Sequence, residues 1–391
     1  MTRCIDVDER RARLAHRHRL LPAGRTDDLA VIADDLVALH SSDPVTVFLS
    51  AMLRMERPAV GTVEAALYDD RVVVRHYGMR RTLWVATPPV VRLMHAAATR
   101  KLIGPEHRRT AKLLAASGVK DPDGWLGEAR DHVRAALHEH GPMTARRLGE
   151  RVPELRHKLQ MAPGKSYGAA VSAHTRVLLS LSFEGEVVRT RPTGTWVNGA
   201  YTYAAMDGWL PGGVGELKED EAATELADRW LRRFGPATAK DLQWWMGWTV
   251  ALTTKALRGC DAVEVALDDG PGWVAAGDDQ EPPPAGHWVA LLPSLDPTTM
   301  GWKERDWYLP DAAAEAFDRN GNAGPTIWVD GRVVGAWAQA PDGEIRVHYF
   351  ERVAAARRAE VDDRIEALRA MVGETRFTVR FPGAIQASLL A

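Results

Sequence analysis

The segment His40-Ser41-Ser42-Asp43-Pro44 is a short polar stretch between two apolar runs, VIADDLVAL before it and VTVFLSAML after it. A histidine with a serine two residues later can hold a water molecule between the imidazole and the hydroxyl. Because imidazole accepts a proton near neutral pH, this pair can activate that water as a nucleophile. A structural interpretation also fits: Ser42 or Asp43 caps the helix that starts after Pro44, and His40 ends the preceding helix.

Other motifs for cofactor or metal chemistry are incomplete. Gly164-Lys165-Ser166 resembles the end of a phosphate-binding loop, but Leu159 occupies the position of its first glycine, so a glycine-rich loop is the better interpretation. His16 and His18 are two residues apart on a predicted helix, so their side chains point in different directions and do not share an ion. We therefore expect no cofactor and no metal.

Several basic residues are candidates for binding DNA. They lie at the end of the first predicted helix, on predicted hairpins and on one predicted recognition helix, and the last two kinds of position are where DNA contacts usually arise. The candidates are Arg17, Arg19, Arg80, Arg81, His174, Arg176, Arg189 and Arg191. Arg189 and Arg191 are two apart in a strand and so project from one face. The alternative for each is a solvated arginine on the surface.

The elements that position these residues repeat along the chain. Residues 141–148 (GPMTARRL) and 235–242 (GPATAKDL) match at five of eight positions, and each follows an amphipathic helical stretch. Gly-Pro ends each of these helices, and Thr144 and Thr238 are expected to cap the helix that follows. Helix, Gly-Pro, helix, helix and hairpin is the layout of a winged helix, a variant of the helix-turn-helix.

Three such units are predicted in tandem. In the two clear copies, the third helix is predicted at about 168–182 and 249–258, and a hairpin follows each. A weaker copy opens the chain, with helices at 10–20, 28–39, 45–54 and 61–68 and a hairpin over 72–86.

The last part of the chain has a different pattern. After a linker at 277–286, the stretches WVALLP, TIWVDGRVVGAWAQ and EIRVHYF are strand-like, with one Asp-Gly turn at 330–331 and another at 342–343. A helix at 352–371 and a strand at 375–381 close the chain. We predict an α+β fold in which a β-rich, barrel-like module follows the winged helices. The predicted domains are 1–120, 121–215, 216–280 and 281–391.

Composition sets the class of protein. The 391 residues are 46% hydrophobic and 26% charged, which is typical of globular domains, and two cysteines cannot form a disulfide framework. No stretch resembles a signal peptide or a membrane helix, so a soluble cytoplasmic protein is expected. Residues 1–200 have 31 Lys and Arg against 22 Asp and Glu, whereas residues 201–391 have 19 against 30. The basic half favours a local footprint for a polyanion.

Blocks along nearly the whole chain resemble the AlkZ/YcaQ-like winged-helix DNA glycosylases of bacteria. LVALHSSDP, followed by LSAMLR, is similar to the family's Leu-Gln-Ala-Gln-Asp-Pro region. MRRTLWVA at 79–86 is similar to its Met-Arg-Gly-Thr-Leu-His segment, with Arg81 in place of the glycine. Residues 291–309 and 328–337 are similar to its C-terminal blocks. The family's catalytic Gln-x-Gln or Gln-x-Asp motif falls on His40-Ser41-Ser42.

The resemblance implies three tandem winged helices and a β-rich C-terminal part around a concave DNA channel. It implies a monofunctional glycosylase that needs no metal and cleaves the N-glycosidic bond of bulky N7-alkylated purines, including those in interstrand crosslinks. Some members protect antibiotic producers from their own DNA-alkylating products. The expected partner is therefore duplex DNA with alkylated purines, and one chain is expected to act as a monomer.

His40 and Ser42, which stand in place of the family's glutamines, can still activate water for release of the base. An N7-alkylated purine is cationic, so it is a good leaving group without a general acid. We expect His40, steadied by Ser42, to act as the general base for water. Asp43 or Asp296 is expected to balance the positive charge that develops on the sugar.

Two other functions fit the same sequence. One is a non-catalytic DNA-binding protein with this fold, either a lesion sensor or a transcriptional regulator. The other is a scaffold whose acidic, Trp-rich second half binds a protein. The basic first half favours the two DNA-binding interpretations over the scaffold.

Overall fold

The computed structural model describes residues 2–161 and 169–391. Its first part is a set of helices around a three-stranded sheet. The helices are α1 Val7–Arg17, α2 Leu29–Asp35, α3 Pro44–Met52 and α4 Val60–Glu64, and the strands are β1 Leu39–His40, β2 Val74–Tyr77 and β3 Leu83–Ala86. The strands are antiparallel in the order β1-β3-β2. The hairpin predicted over 72–86 is therefore confirmed.

Strand β1 lies where the helix predicted over 28–39 was expected to end. Helix α2 stops at Asp35, and Val37 has a left-handed conformation with a φ of 60°. The chain then turns, so that Leu39 pairs with Val85 and His40 pairs with Trp84. Leu39 is fully buried. Pairing with β3 satisfies backbone groups that a longer helix would satisfy internally, and it places His40 in a sheet instead of at a helix end.

The second part contains six helices and five strands in the described residues. The helices are α5 Pro88–Met94, α6 Arg100–Ala116, α7 Pro122–His140, α8 Ala145–Arg151, α9 His174–Glu184 and α10 Met206–Trp209. The strands are β4 Met143–Thr144, β5 Lys158–Met161, β6 Ala169–Ser172, β7 Val187–Pro192 and β8 Tyr201–Ala205. Strands β4, β8 and β7 form one sheet, and β5 pairs with β6. Thr144 caps α8 as predicted, since its hydroxyl accepts from the N–H of Arg147 at 3.3 Å.

The helix predicted at about 168–182 begins later, at His174. Residues 169–172 instead form β6, which pairs with β5 from Lys158↔Ser172 to Met161↔Ala169. The apolar spacing of this stretch fits a helix or a short strand, and pairing with β5 decides between them. Residue 168 and the predicted glycine-rich loop at Gly164-Lys165-Ser166 lie outside the described residues.

The third part follows the predicted repeat closely. Its elements are α11 Glu219–Phe234, α12 Ala239–Met246, α13 Val250–Gly259, β9 Val263–Leu267 and β10 Gly270–Val274. Thr238 caps α12 in a reciprocal capping box with Asp241. Strands β9 and β10 form the predicted hairpin around Asp268-Asp269.

The C-terminal part is built on one sheet. Its elements are β11 Val289–Leu292, β12 Thr326–Val329, β13 Arg332–Gln339, β14 Ile345–Tyr349, α14 Ala355–Val372 and α15 Ala384–Leu390. The strands are antiparallel in sequence order, with β11 and β14 at the edges. The sheet is open, so the described residues do not form the predicted barrel. Helix α14 packs on β11, and α15 packs on β13 and β14.

The strand predicted at 375–381 does not join this sheet. Its backbone is held by one side chain instead: Gln339 donates to the carbonyl of Thr375 at 3.1 Å and accepts from the N–H of Phe377 at 3.0 Å. The segment continues to Arg380, whose N–H donates to the carboxylate of Asp43 at 3.1 Å. The C-terminal segment thus reaches the start of α3.

Two apolar cores hold these parts together. Buried side chains between Leu114 and Val187 form a core of their own. A larger core extends from Leu14 to Val372 and combines side chains of all four predicted domains, including Val188 and Trp196 of the second. The domain boundaries after residues 120, 215 and 280 remain predictions. In residues 2–161 and 169–391, no helix has the length and apolar character needed to cross a membrane.

Candidate functional site

His40 lies at the end of β1 and is only 4% exposed. Its ring packs edge-on against Trp84, with 4.7 Å between the ring centres. Nδ1 accepts a long hydrogen bond of 3.4 Å from the backbone N–H of Ser42. Burial, with a further effect from the charge of Arg80, lowers the pKa of His40 to about 3. The imidazole is therefore neutral at pH 7.

Ser42 and Asp43 connect β1 to α3. Ser42 is half-buried, and its carbonyl accepts from the Arg380 guanidinium at 3.4 Å. Asp43 is the N-cap of α3: one carboxylate oxygen accepts from the N–H of Val45 at 3.1 Å, and the other accepts from the N–H of Arg380. Burial raises the pKa of the Asp43 carboxyl. The capping role considered for Asp43 from the sequence is confirmed, while His40 and Ser42 lie side by side.

Ser41 faces the other side of the sheet. Its hydroxyl accepts from Nε of Arg75 at 2.9 Å, and the Arg75 guanidinium lies 4.6 Å from the centre of the Tyr201 ring. Sequence analysis did not identify Arg75, Tyr201 or Arg380. The one available signal was an arginine inside the apolar stretch VVVRHY of a strand, since a buried arginine is uncommon.

Asp296 has a structural role that differs from the predicted electrostatic support. It is fully buried and forms a bidentate ion pair with Arg54, both contacts at 2.9 Å. It also accepts from the Ser50 hydroxyl at 2.6 Å and the Thr298 N–H at 2.9 Å. These partners occupy its lone pairs, so no capacity is left for an external charge.

Arg17 and Arg19 are engaged by acidic groups of the protein. Arg17 binds both carboxylate oxygens of Asp278 at 2.7 and 2.8 Å and also donates to the carbonyl of Gly235. Arg19 pairs with Asp35. Both side chains tie the end of α1 to neighbouring segments.

Arg80 and Arg81 occupy the tip of the β2–β3 hairpin. Both have left-handed backbone conformations, with φ of 54° and 62°. Arg80 stacks on Trp244, 4.0 Å from the ring centre, and burial lowers its pKa to about 10. Arg81 pairs with Glu106, which is buried. The left-handed conformation at 81 explains why a glycine fits this position of the resembled segment.

Glu106 brings two of the candidate cations together. Arg176, near the start of α9, lies 3.7 Å from Glu106, so Arg81 and Arg176 share one carboxylate. Sequence analysis did not single out this glutamate. His174 lies two residues earlier, at the start of α9. Burial and the charge of Lys158 lower its pKa.

Arg189 and Arg191 project from β7 as expected but have different partners. Arg189 donates to the Tyr77 hydroxyl at 2.9 Å. Arg191 forms a bidentate pair with Asp69 at 2.9 Å and a contact with Glu64 at 3.1 Å. Arg191 is thus the member of this pair that acidic side chains neutralise.

A family model described as DNA glycosylase AlkZ-like matches residues 33–371. The chain belongs to the AlkZ-like DNA glycosylase family. Three solved chains match the structure. One is the Streptomyces sahachiroi DNA glycosylase AlkZ, with 21% identity, a TM-score of 0.69, and coverage of 96% of this chain and 98% of that chain. None of the curated proteins matches this sequence significantly.

The AlkZ-like match includes the segment with His40 and Ser42, and it confirms the family resemblance identified from the sequence. The likeness to the Streptomyces AlkZ shows a shared fold over nearly the full length of both chains. Among the residues that the structure describes, no group of three His, Cys, Asp or Glu side chains is placed to hold a metal ion.

Proposed function

We propose that this protein hydrolyses the N-glycosidic bond of bulky or crosslinked N7-alkylated purines in duplex DNA. The observation that carries the proposal is the AlkZ-like family match, because it spans the turn from β1 to α3, where His40 and Ser42 occupy the positions of the resembled catalytic pair. In this proposal three winged helices of a single chain line a concave DNA channel and the chain acts as a monomer.

The proposed reaction is a displacement by water. The water oxygen bonds to C1′ of the sugar as the C1′–N9 bond breaks, and the bonding electron pair moves onto the cationic purine, which leaves neutral. One water proton remains to be accepted. Where Nδ1 of His40 accepts from the N–H of Ser42, Nδ1 carries no proton of its own. A water held between Nδ1 and the Ser42 hydroxyl replaces that long hydrogen bond and gives its proton to Nδ1.

The charge of His40 suits a cationic lesion. A neutral imidazole does not repel the alkylated purine, whereas an imidazolium would. Asp43, adjacent to Ser42, supports the positive charge on the sugar through its own charge, while its oxygens stay bonded to the N–H groups of Val45 and Arg380. Asp296 is not part of this proposal because Arg54 neutralises it.

The test is single-turnover release of N7-methylguanine, and of a bulky N7-guanine adduct, from duplex DNA. We expect release by the wild type and a loss of at least tenfold in His40→Ala and in Ser42→Ala, since a general base contributes roughly 10²–10⁴-fold. His132→Ala is the matched control, because His132 is exposed on α7 and its ion pair is with Glu154. Unchanged release in both site variants contradicts the proposed roles.

Restoring the resembled motif gives a second test. His40→Gln combined with Ser42→Gln places two glutamines where the family has its catalytic pair. If these positions hold the water, the double variant keeps activity within about tenfold of the wild type, whereas the two alanine variants lose it. If the glutamine and alanine variants lose base-release activity equally, these positions do not contact the water.

A non-catalytic DNA-binding protein, either a lesion sensor or a regulator, is the second candidate. The observation that favours it is the burial of His40, which is 4% exposed and packed edge-on against Trp84. In this case the wild type binds duplex DNA but releases neither base.

A further inference from the structure

Two arginines and a tyrosine form a buried group behind Ser41, called here the tyrosine–arginine cluster: Arg75, Arg189 and Tyr201. Arg75 is 3% exposed, and its guanidinium lies 4.6 Å from the Tyr201 ring centre. Arg189 lies 5.9 Å from the same ring centre. Because Arg75 also donates to the Ser41 hydroxyl, the cluster contacts the segment between His40 and Ser42.

Three polar atoms in this cluster are buried and have no hydrogen-bond partner within residues 2–161 and 169–391. They are Nη1 of Arg75, Nε of Arg189 and the hydroxyl oxygen of Tyr201. An unpaired buried donor destabilises the protein, and the cost is larger when the donor is charged. Buried polar groups in proteins are normally paired, so three unpaired atoms in one cluster point to a missing acceptor.

The cluster also lacks a counter-ion. The groups that act electrostatically on Arg75 and Arg189 are tyrosines and each other, and no ion pair with Asp or Glu forms at either residue in the described chain. Arg191, two residues along the same strand, differs because Asp69 and Glu64 neutralise it. Buried charge without a partner is costly, which favours an anion as the ligand.

A third arginine, Arg380, lies where we infer that an anion enters the cluster. Arg380 is exposed, and its charge acts on Tyr201 together with those of Arg75 and Arg189. Its Nη2 occupies the space beside Gly199, where a Cβ atom would come within 2.1 Å. An anion can therefore approach from the side of Arg380 and the half-buried Arg189.

We propose that the tyrosine–arginine cluster, with Arg380 at its entrance, binds one phosphodiester of the DNA strand that carries the lesion. This inference rests on the proposed function and adds a phosphate site to it. Arginine guanidinium groups and a phenol hydroxyl supply the donors that a phosphate oxygen accepts. Since Arg75 holds Ser41, a phosphate bound here fixes the register of the strand relative to His40 and Ser42.

The charge of the cluster excludes the alternative that it holds the lesion itself. An N7-alkylated purine is a cation, and two buried guanidinium groups repel it. The aromatic faces of Tyr77 and Tyr201 are also already stacked against arginine. A phosphate is an anion and does not need an aromatic face, so neither the guanidinium charges nor the covered rings oppose its binding.

The experiment replaces single phosphates of a duplex by neutral methylphosphonates, one position at a time, around an uncleavable abasic analogue. Binding is measured by fluorescence anisotropy. We expect one position where the wild type loses roughly tenfold in affinity. In Arg189→Gln the loss at that position falls below about twofold, and the slope of log affinity against log salt decreases by about one.

Two further variants keep the test independent of folding. Tyr201→Phe removes only the hydroxyl. In this variant, the methylphosphonate at the same position should cause a smaller loss of affinity than in the wild type. Arg191→Gln is the matched control, because it removes an equal charge from the same strand but leaves the cluster intact. If Arg189→Gln and Arg191→Gln weaken binding equally at every methylphosphonate position, the phosphate site is wrong.

Inorganic phosphate separates the DNA phosphate from a small free anion. If inorganic phosphate raises the melting temperature in an Arg189-dependent way while no methylphosphonate position is coupled to Arg189, the ligand is a free anion and the DNA assignment fails. Base release by the same samples separates this inference from the proposed function. If one methylphosphonate position is coupled to Arg189 but no base is released, the phosphate site is supported and the glycosylase activity is contradicted. If base is released but no position is coupled to Arg189, the glycosylase activity is supported and the phosphate site is contradicted.

Discussion

Burial gives His40 a low affinity for a proton. Its imidazole is packed against Trp84, and burial lowers its pKa to about 3. The protonated form is therefore unstable in the protein, so His40 is a weak base that holds and orients water more effectively than it stores a proton. This fits a leaving group that is already cationic, because such a reaction needs an oriented nucleophile more than a strong base.

The pH profile of base release follows from this pKa. The required form of His40 is the unprotonated one, and a pKa lowered to about 3 keeps it unprotonated throughout pH 5–8. We expect single-turnover rate constants for N7-methylguanine to vary less than about threefold over that range and to fall only as the pH approaches 3. The measurement subtracts spontaneous release from DNA alone. A tenfold decrease per pH unit below 6.5 would mean that His40 is solvated in the complex.

At the residue scale, sequence reasoning succeeded where chemistry is local. The capping role of Asp43 follows from Pro44 after it and is confirmed, whereas the catalytic roles of His40 and Ser42 stay predictions. Arg75, Tyr201 and Arg380 were not identified because three tertiary contacts bring them together: the packing of β2 on β7, the pairing of β7 with β8, and the path of the C-terminal segment. The spacing of residues along the chain does not predict such tertiary contacts.

Elements with capping signals were the most predictable. The two Gly-Pro repeats were followed by helices capped by Thr144 and Thr238, as expected. The helices predicted at 28–39 and 168–182 were less accurate, because pairing of β1 with β3 and of β6 with β5 replaced part of each helix. Strand pairing is a tertiary effect that overrides local apolar periodicity.

The two repeated caps differ in strength, which gives a prediction at the element scale. Thr238 exchanges hydrogen bonds with Asp241, which also binds the N–H groups of Lys303 and Glu304. Thr144 makes one long cap hydrogen bond of 3.3 Å. We expect Thr238→Ala to lower the free energy of unfolding by about 1–2 kcal/mol and Thr144→Ala by about 0.5–1 kcal/mol. Urea unfolding followed by circular dichroism measures both.

The reverse order of the two effects would contradict this account of the capping box. Thr238→Ser is the control for Thr238, since serine keeps the hydroxyl and should retain most of the stability.

For the whole molecule, contacts between distant parts of the sequence determine how the site is assembled. The linker at 277–286 is packed on α1 through Arg13 and Arg17, and the C-terminal segment reaches α3 at Asp43. The large shared core includes side chains of all four predicted domains. The candidate site at the β1–α3 turn therefore depends on the C-terminal part of the chain, which a division into consecutive domains does not predict.

The buried Arg54–Asp296 pair links the residues just after α3 to the C-terminal part. Both side chains are fully buried, and breaking such a pair leaves an uncompensated charge. We expect Asp296→Asn to lower the free energy of unfolding by about 3–5 kcal/mol. Asp27→Asn is the matched control, because its partner Arg57 is exposed and such a pair contributes about 0–1 kcal/mol. Urea unfolding at pH 7 compares the two variants.

The pH dependence of the same comparison identifies the charge as the cause. Burial alone raises the pKa of Asp296, but Arg54, Ser50 and the Thr298 N–H lower it below the usual value for an aspartate. A carboxyl whose pKa is lowered by folding stabilises the protein above its unfolded pKa, and this stabilisation is lost as the pH falls through the folded value. The stability difference between wild type and Asp296→Asn should therefore be constant from pH 7 to about 5 and shrink below about 4. A difference that persists unchanged at pH 3, measured while the wild type is still folded, would assign the effect to packing instead of to the ion pair.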